Sequence, residues 1–223
     1  MTMFKDVNRV IFDLDNTIFK HYPEKEADMI VDFLGIKEKE EFKKQLSVLF
    51  SENMERYKRI YMTKENYEYI LESRVPLLKA NGKNIDDFFD AILNANVVTL
   101  MEGAKEILEY LYSKGYKIVA LTNWFYVHQV QTLKRLDVLQ YFDKIYSWDT
   151  YYPKPNRLAV SRALESTEPK QCVSIGDDPF GDITIAKMCG LKTIGLNIDY
   201  SKYTKIQKAD VNISSLIEIK KYL

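Results

Sequence analysis

Val10-Ile11-Phe12-Asp13-Leu14-Asp15-Asn16-Thr17 is an apolar run that stops abruptly in two carboxylates one residue apart. A short continuous apolar run has the form of a strand buried on both faces, and one that ends in paired acids puts charge at a sheet edge. Carboxylates placed there repel each other and call for a cation, a proton or a substrate, which is the profile of a catalytic site.

Similar runs recur along the chain. They lie at Tyr116 to Leu121, Lys144 to Tyr146, Cys172 to Ile175 and Thr193 to Leu196, with a sixth short one near Asp210 to Ile213. Between most of them fall helical patterns, such as Ala104, Ile107, Leu108 and Leu111 ahead of Gly115, and Val127, Val130, Leu133 and Leu136 after Asn123. Strands alternating with helices of this length predict a doubly wound, Rossmann-like α/β core whose parallel sheet is covered on both faces.

The stretch 19–96 interrupts that alternation. It holds no convincing strand, and its apolar residues follow helical spacing: Phe42, Leu46, Leu49, Phe50, Tyr57 and Ile60 fall near one stripe. Thr63 is placed to cap a helix that buries Tyr67, Ile70 and Leu71. Asn84 is placed to cap another, with Asp86 and Asp87 in its first turn and Ile85, Phe88, Phe89 and Ile92 on its buried face. The expected organisation is a core domain at 1–18 and 97–223 with a small helical bundle inserted at 19–96. The many Lys and Glu residues of the insertion read as solvated helix faces, and Tyr57, Tyr61, Tyr67 and Tyr69 as bundle packing, with stacking on a base or sugar as the minor alternative.

Composition narrows the class of function. The 223 residues are 46% hydrophobic, enough for a sizeable core, and 32 Lys and Arg balance 32 Asp and Glu. That balance argues against nucleic acid or an anionic membrane as partner. Met1 to Arg9 is polar, and no apolar run approaches the roughly 20 residues of a membrane helix, so the expectation is a cytoplasmic protein. Cys172 and Cys189 lack metal-ligand spacing and read as reduced thiols.

Four pieces of sequence end a strand pattern or sit just beyond one, and in an open parallel sheet such ends converge on one crevice. The first is Asp13-Leu14-Asp15. Thr122-Asn123 closes the second strand and offers a hydroxyl and helix-opening N–H groups to an anion. Lys154, between Pro153 and Pro155, supplies a positive charge on a stiffened loop, and Gly176-Asp177-Asp178-Pro179-Phe180-Gly181-Asp182 brings three more acids. Hard oxygen ligands without a His or Cys cluster favour Mg2+ over zinc. A carboxylate-held cation with a lysine and a helix N-terminus makes a phosphate site.

In this order the four pieces resemble the motifs of the haloacid dehalogenase superfamily, in its phosphatase branch with a helical cap between the first and second motifs. The resemblance implies that Asp13 attacks phosphorus and becomes an aspartyl phosphate, with Asp15 as acid to the leaving oxygen and then base for water. It places Leu14, Thr122, Asn123 and Lys154 around the phosphoryl group. Mg2+ falls to Asp13, the backbone carbonyl of Asp15 and Asp177, with Asp182 supporting from behind and Asp178 unassigned. The implied activity is hydrolysis of a small phosphorylated metabolite, with a sugar-phosphate mutase as the alternative and a non-enzymatic phospho-switch as a weaker one. Dehalogenases of the superfamily, which attack carbon, have no acid at the position of Asp15. His21, near the start of the insertion, reads either as a partner for a leaving group or as a surface residue. Trp124, Phe125, Tyr126, Tyr151 and Tyr152 read as core packing or as the substrate entrance.

Overall fold

The computed structural model describes residues 4–56, 63–95 and 97–223, and for residues 51–56 the backbone alone. The chain divides into two compact units, Met1–Lys20 with Thr99–Leu223, and His21–Val98. Each boundary lies two residues later than the 19–96 read from sequence.

The larger unit is built on a six-stranded sheet. Its strands are β1 (Arg9–Phe12), β4 (Lys117–Thr122), β5 (Lys144–Ser147), β6 (Cys172–Gly176), β7 (Lys192–Leu196) and β8 (Val211–Ile213). The order is β5-β4-β1-β6-β7-β8, and every neighbouring pair runs parallel. Two further strands, β2 (Phe19–His21) and β3 (Val98–Leu100), pair with each other where the chain leaves and re-enters this unit. The first of these falls inside the stretch read as strand-free; three residues are too few to show a period.

β1 is central and fully buried, as its uninterrupted Val-Ile-Phe run requires. Its register pairs Phe12 with Ala120 of β4 on one side and Ile175 of β6 on the other. The chain winds outward from β1 through β4 and β5, then returns to the other side of β1 for β6, β7 and β8. The ends of β1, β4 and β6 therefore meet at the switch point of the sheet, where ligands of open α/β folds bind.

The smaller unit is helical: α1 (Pro23–Leu34), α2 (Lys39–Arg56), α3 (Lys64–Arg74), α4 (Pro76–Ala80) and α5 (Ile85–Ala95). Phe42, Leu46, Leu49, Tyr67, Ile70, Leu71, Phe88 and Ile92 are buried. Tyr67 stacks on Phe89 with ring centroids 5.8 Å apart, whereas Tyr69 is exposed. Tyr57, Ile60 and Tyr61 lie outside the described residues. Thr63 accepts from the Asn66 N–H, and Asn84 Oδ1 accepts from the N–H groups of Asp86 (2.8 Å) and Asp87 (3.0 Å). Asp87 returns the bond to the Asn84 N–H at 2.8 Å, so α5 opens on a reciprocal cap.

The sheet is flanked by α6 (Ala104–Ser113), α7 (Tyr126–Arg135), α8 (Arg157–Leu164) and α9 (Ile185–Met188). α6 buries Ala104, Ile107, Leu108 and Leu111. α7 departs from its apolar spacing: it buries His128, Gln129, Thr132 and Leu133, while Val127 is exposed and Val130 and Leu136 are half-buried. Its inward face is thus mainly polar. Among the described residues no helix is long and apolar enough to cross a membrane, and Cys172 and Cys189 are free thiols.

Candidate active site

Asp13 sits one residue past β1, where its N–H donates to the Ile175 carbonyl at 2.9 Å and carries the ladder to the rim of the sheet. The chain then turns tightly. The Leu14 carbonyl accepts from Thr17 (3.2 Å), Ile18 (2.8 Å) and Phe19 (3.2 Å), and Asn16 takes a left-handed conformation at φ 59°. An asparagine tolerates that conformation at low cost, so the turn holds Asp15 beside the strand end. Leu14 itself is buried.

Asp15 is fixed by side chains from β4 and α7. Its Oδ2 accepts from Thr122 Oγ1 at 3.2 Å and from Gln129 Nε2 at 2.8 Å. Gln129 Nε2 also donates to Thr122 Oγ1 at 2.8 Å, which closes a triangle of three hydrogen bonds. Gln129 escaped the sequence reading because a buried polar residue on a helix breaks the apolar period on which that reading depends.

The Lys154 side chain is almost wholly enclosed, and its Nζ donates to Asp13 Oδ1 and Asp182 Oδ1, each at 2.6 Å. Asn123 holds the lysine's main chain: its Oδ1 accepts from the Lys154 N–H at 2.8 Å and its Nδ2 donates to the Lys154 carbonyl at 2.9 Å. The Asn123 side chain is thus engaged with the lysine loop. The helix expected to open at Asn123 begins only at Tyr126, with Phe125 before it.

Beyond β6, Asp177 starts a loop that enters a wide π-type turn at Pro179–Thr184. Asp182 is buried in it, with Oδ1 on Lys154 and Oδ2 accepting from the Asp178 N–H at 3.0 Å. Gly176 permits that arrangement, since a Cβ there would collide with the Asp182 carboxylate. Asp178 turns its Oδ1 to the Phe180 N–H at 2.9 Å and so caps the turn.

Electrostatically the cluster is acidic and largely buried. Burial, with Asp177 and Asp15 adding repulsion against the pull of Lys154, pushes the Asp13 carboxyl up to about 7. Burial and the Asp182 charge push Asp177 up to about 7, and burial pushes Asp182 up to about 8. Burial pulls Lys154 down, but Asp13 and Asp182 outweigh it and hold the ammonium charged. Asp13, Asp177 and Asp182 each offer an oxygen, all within 4.8 Å of one another. Oxygen-only donors carrying more negative charge than one lysine offsets suit a hard divalent cation. Both Asp182 oxygens already have protein partners, so Asp13 and Asp177 are the better-placed ligands.

Trp124 and Phe125 pack with Trp148 at ring-centroid distances of 5.5 Å each, which makes them part of an aromatic cluster. Tyr126 and Tyr152 are exposed. His21 lies in the helical unit with Nδ1 2.9 Å from Glu26 Oε1, an oxygen that also accepts from the Val97 N–H at 3.1 Å.

A sequence profile of the haloacid dehalogenase-like hydrolase family matches residues 10–196, most of the chain. The chain belongs to this family. Two curated relatives are phosphoglycolate phosphatases: the one from Nitrosococcus oceani is 30% identical over 129 residues, covering 56% of this chain and 57% of its own. The other, from Vibrio parahaemolyticus, is 26% identical over 150 residues, covering 64% and 65%. A ribulose-1,5-bisphosphate 5-phosphatase from Halopiger xanaduensis is 31% identical over 112 residues, 49% of this chain and 46% of its own. The matches thus span about half to two thirds of these relatives. Among solved structures, a haloacid dehalogenase-like hydrolase from Bacillus subtilis bound to magnesium is 20% identical with a TM-score of 0.66, covering 96% of each chain. A 2-haloacid dehalogenase from Pseudomonas syringae is 21% identical with a TM-score of 0.68, covering 97% of each. At such identity these two establish the haloacid dehalogenase-like fold, which phosphatases and dehalogenases share.

Proposed function

We propose that this haloacid dehalogenase-like hydrolase is a Mg2+-dependent phosphatase acting on a small phosphate monoester. The observation that carries the reading is Asp15, a second carboxyl held by Thr122 and Gln129 next to the Asp13–Lys154 pair. A halide leaves carbon without needing a proton, whereas an alkoxide leaving phosphorus needs one, so a positioned carboxylic acid serves phosphoryl transfer. The phosphatase relatives point the same way.

The Asp13 carboxylate attacks phosphorus as the ester P–O bond breaks, and Asp15 gives its proton to the departing oxygen. Water then attacks the aspartyl phosphate, Asp15 takes the water proton, and inorganic phosphate leaves with the Asp13 carboxylate restored. Lys154 fixes the nucleophile and offsets charge on the transferring group. Bound by Asp13, Asp177 and the Asp15 carbonyl, Mg2+ would supply the positive charge that lets phosphoryl oxygens approach this acidic rim. By analogy with the relatives, we assign as substrate a short phosphorylated acid or sugar.

The test is phosphate release from 4-nitrophenyl phosphate, phosphoglycolate and a panel of sugar phosphates, with and without Mg2+. Release should require the cation and fall by about 10⁴-fold or more in Asp13→Asn, as expected for loss of a nucleophile. Full activity in Asp13→Asn would overturn the mechanism, and release of chloride from 2-chloropropionate without phosphatase activity would overturn the reaction class.

A further inference from the structure

We propose that Gln129 is a positioning residue for the acid step: it holds Asp15 by Oδ2, directs the transferable proton to Oδ1, and frees the Thr122 hydroxyl for the phosphoryl group. The inference rests on the phosphatase reading above.

Hydrogen counting leads to it. Thr122 has one hydroxyl proton, and in this geometry it goes to Asp15 Oδ2. A threonine that also binds a phosphoryl oxygen has to turn that proton away from Asp15. Keeping the acid's Oδ2 bonded at the moment the substrate arrives then takes a second donor. Gln129 supplies that donor through Nε2, at 2.8 Å from Asp15 Oδ2. Its other amide hydrogen reaches Thr122 Oγ1 at 2.8 Å, so the hydroxyl oxygen stays in place while its proton turns. The amide is oriented with Nε2 towards both Asp15 Oδ2 and Thr122 Oγ1.

The donors also choose between the carboxyl oxygens. With the Gln129 amide donating to it, Oδ2 serves as the acceptor in the acid step, and the proposal puts the transferable proton on Oδ1. In the transfer the Oδ1–H bond breaks as the ester P–O bond breaks, and the proton joins the departing oxygen.

A purely structural glutamine fits this position poorly. Gln129 is completely buried, and its Oε1 has no hydrogen-bond partner among the described residues. A buried carbonyl left without a donor is unfavourable, and an apolar side chain of similar volume would pack there without it. What the amide adds is its pair of N–H donors, and both point at groups assigned to the reaction.

The experiment compares two esters in wild type, Gln129→Met and Gln129→Glu. An alkyl phosphate such as phosphoglycolate has a leaving group that needs a proton; 4-nitrophenyl phosphate has one that departs almost unaided. Gln129→Met should lower kcat on the alkyl ester by about 100-fold, the lower range of a general acid's contribution, and on the aryl ester by less than about 5-fold. Gln129→Glu, of the same size but with no amide donor, should show the same bias. The aryl ester reports general damage in each variant, and Gln129→Glu decides if Gln129→Met does not fold. Equal losses on both esters, or no loss, would overturn the role of Gln129 while leaving the phosphatase reading intact. A wild type silent on every ester would overturn that reading and this inference with it.

Discussion

The two rims of the central sheet carry charge in opposite ways. At the C-terminal rim, Asp13, Asp177 and Asp182 are buried and their carboxyls are pushed up to between about 7 and 8. At the N-terminal rim, Glu165 is held down at about 2 by hydrogen bonds from Lys144, Tyr146 and Arg9. Arg9 Nη2 reaches Glu165 at 2.8 Å, its Nε reaches Thr167 at 2.9 Å, and the Tyr146 hydroxyl donates to Glu165 at 2.8 Å. The four residues of β1 link these rims, beginning with Arg9 and ending next to Asp13. One rim satisfies its charges and serves stability. The other leaves negative charge over, an excess that suits the divalent cation and phosphoryl group of the proposed reaction.

The strongest way to break this contrast is at Lys154. Lys154→Met removes the cation between Asp13 and Asp182, and kcat/KM for phosphate release should fall by about 10³-fold or more. Breaking a buried ion pair by deleting one partner usually costs about 3–5 kcal/mol. Here the loss should fall short of that range at pH 7, because without the pull of Lys154 the stranded carboxyls can take up protons instead of staying charged. Urea unfolding alongside the activity assay checks both parts. A variant with normal turnover would remove Lys154 from the reaction.

At the opposite rim, Arg9→Met should invert that pattern. Its guanidinium bonds Glu165, Thr167 and the Ala163 carbonyl, so the substitution should cost about 1–3 kcal/mol in urea unfolding and leave kcat within about 2-fold. A collapse of activity at unchanged stability would show that the rims do not divide their labour.

This division explains what the sequence disclosed. Strands such as Val10 to Phe12 and Cys172 to Ile175 were legible because burial on both faces demands continuous apolar residues, and the acids at their ends were conspicuous against that background. Asp182 could be assigned a supporting place from its motif, yet its two partners, Lys154 and the Asp178 N–H, come from folding of a π-type turn that no period marks. α7 was legible as a helix but not in its orientation. Val127 and Val130 suggested one inward face, whereas the fold turns Gln129 and Thr132 inward, Gln129 against Asp15 and Thr122. Asn123 sits in the expected motif, but its side chain holds the Lys154 backbone through a contact 31 residues away in sequence. Local pattern marks the groups that the proposed reaction uses; which groups hold them in place depends on contacts between distant strand ends.

The finest test of the contrast is acid titration of stability at the N-terminal rim. The folded pKa of Glu165, about 2, lies below its ordinary value of 4.5, chiefly through the Lys144 and Tyr146 hydrogen bonds. A depressed acid contributes stability that is complete above the unfolded value and is lost as pH falls through the folded one. Unfolding midpoints should therefore decline between about pH 4.5 and 2 in wild type, and this part of the decline should be missing in Glu165→Gln. The carboxyl is partly open to solvent, so the increment is small and should shrink further in high salt. The raised carboxyls of the other rim carry the opposite sign: protonating them as pH falls from 8 towards 4 removes the cost of burying their charge, and with it their repulsion, in the metal-free protein. Wild-type stability should rise through that interval before Glu165 begins to lower it, and saturating Mg2+ should flatten the rise while leaving the acid limb unchanged. A metal-free profile that falls steadily from pH 8 would mean that the two rims do not differ in charge balance.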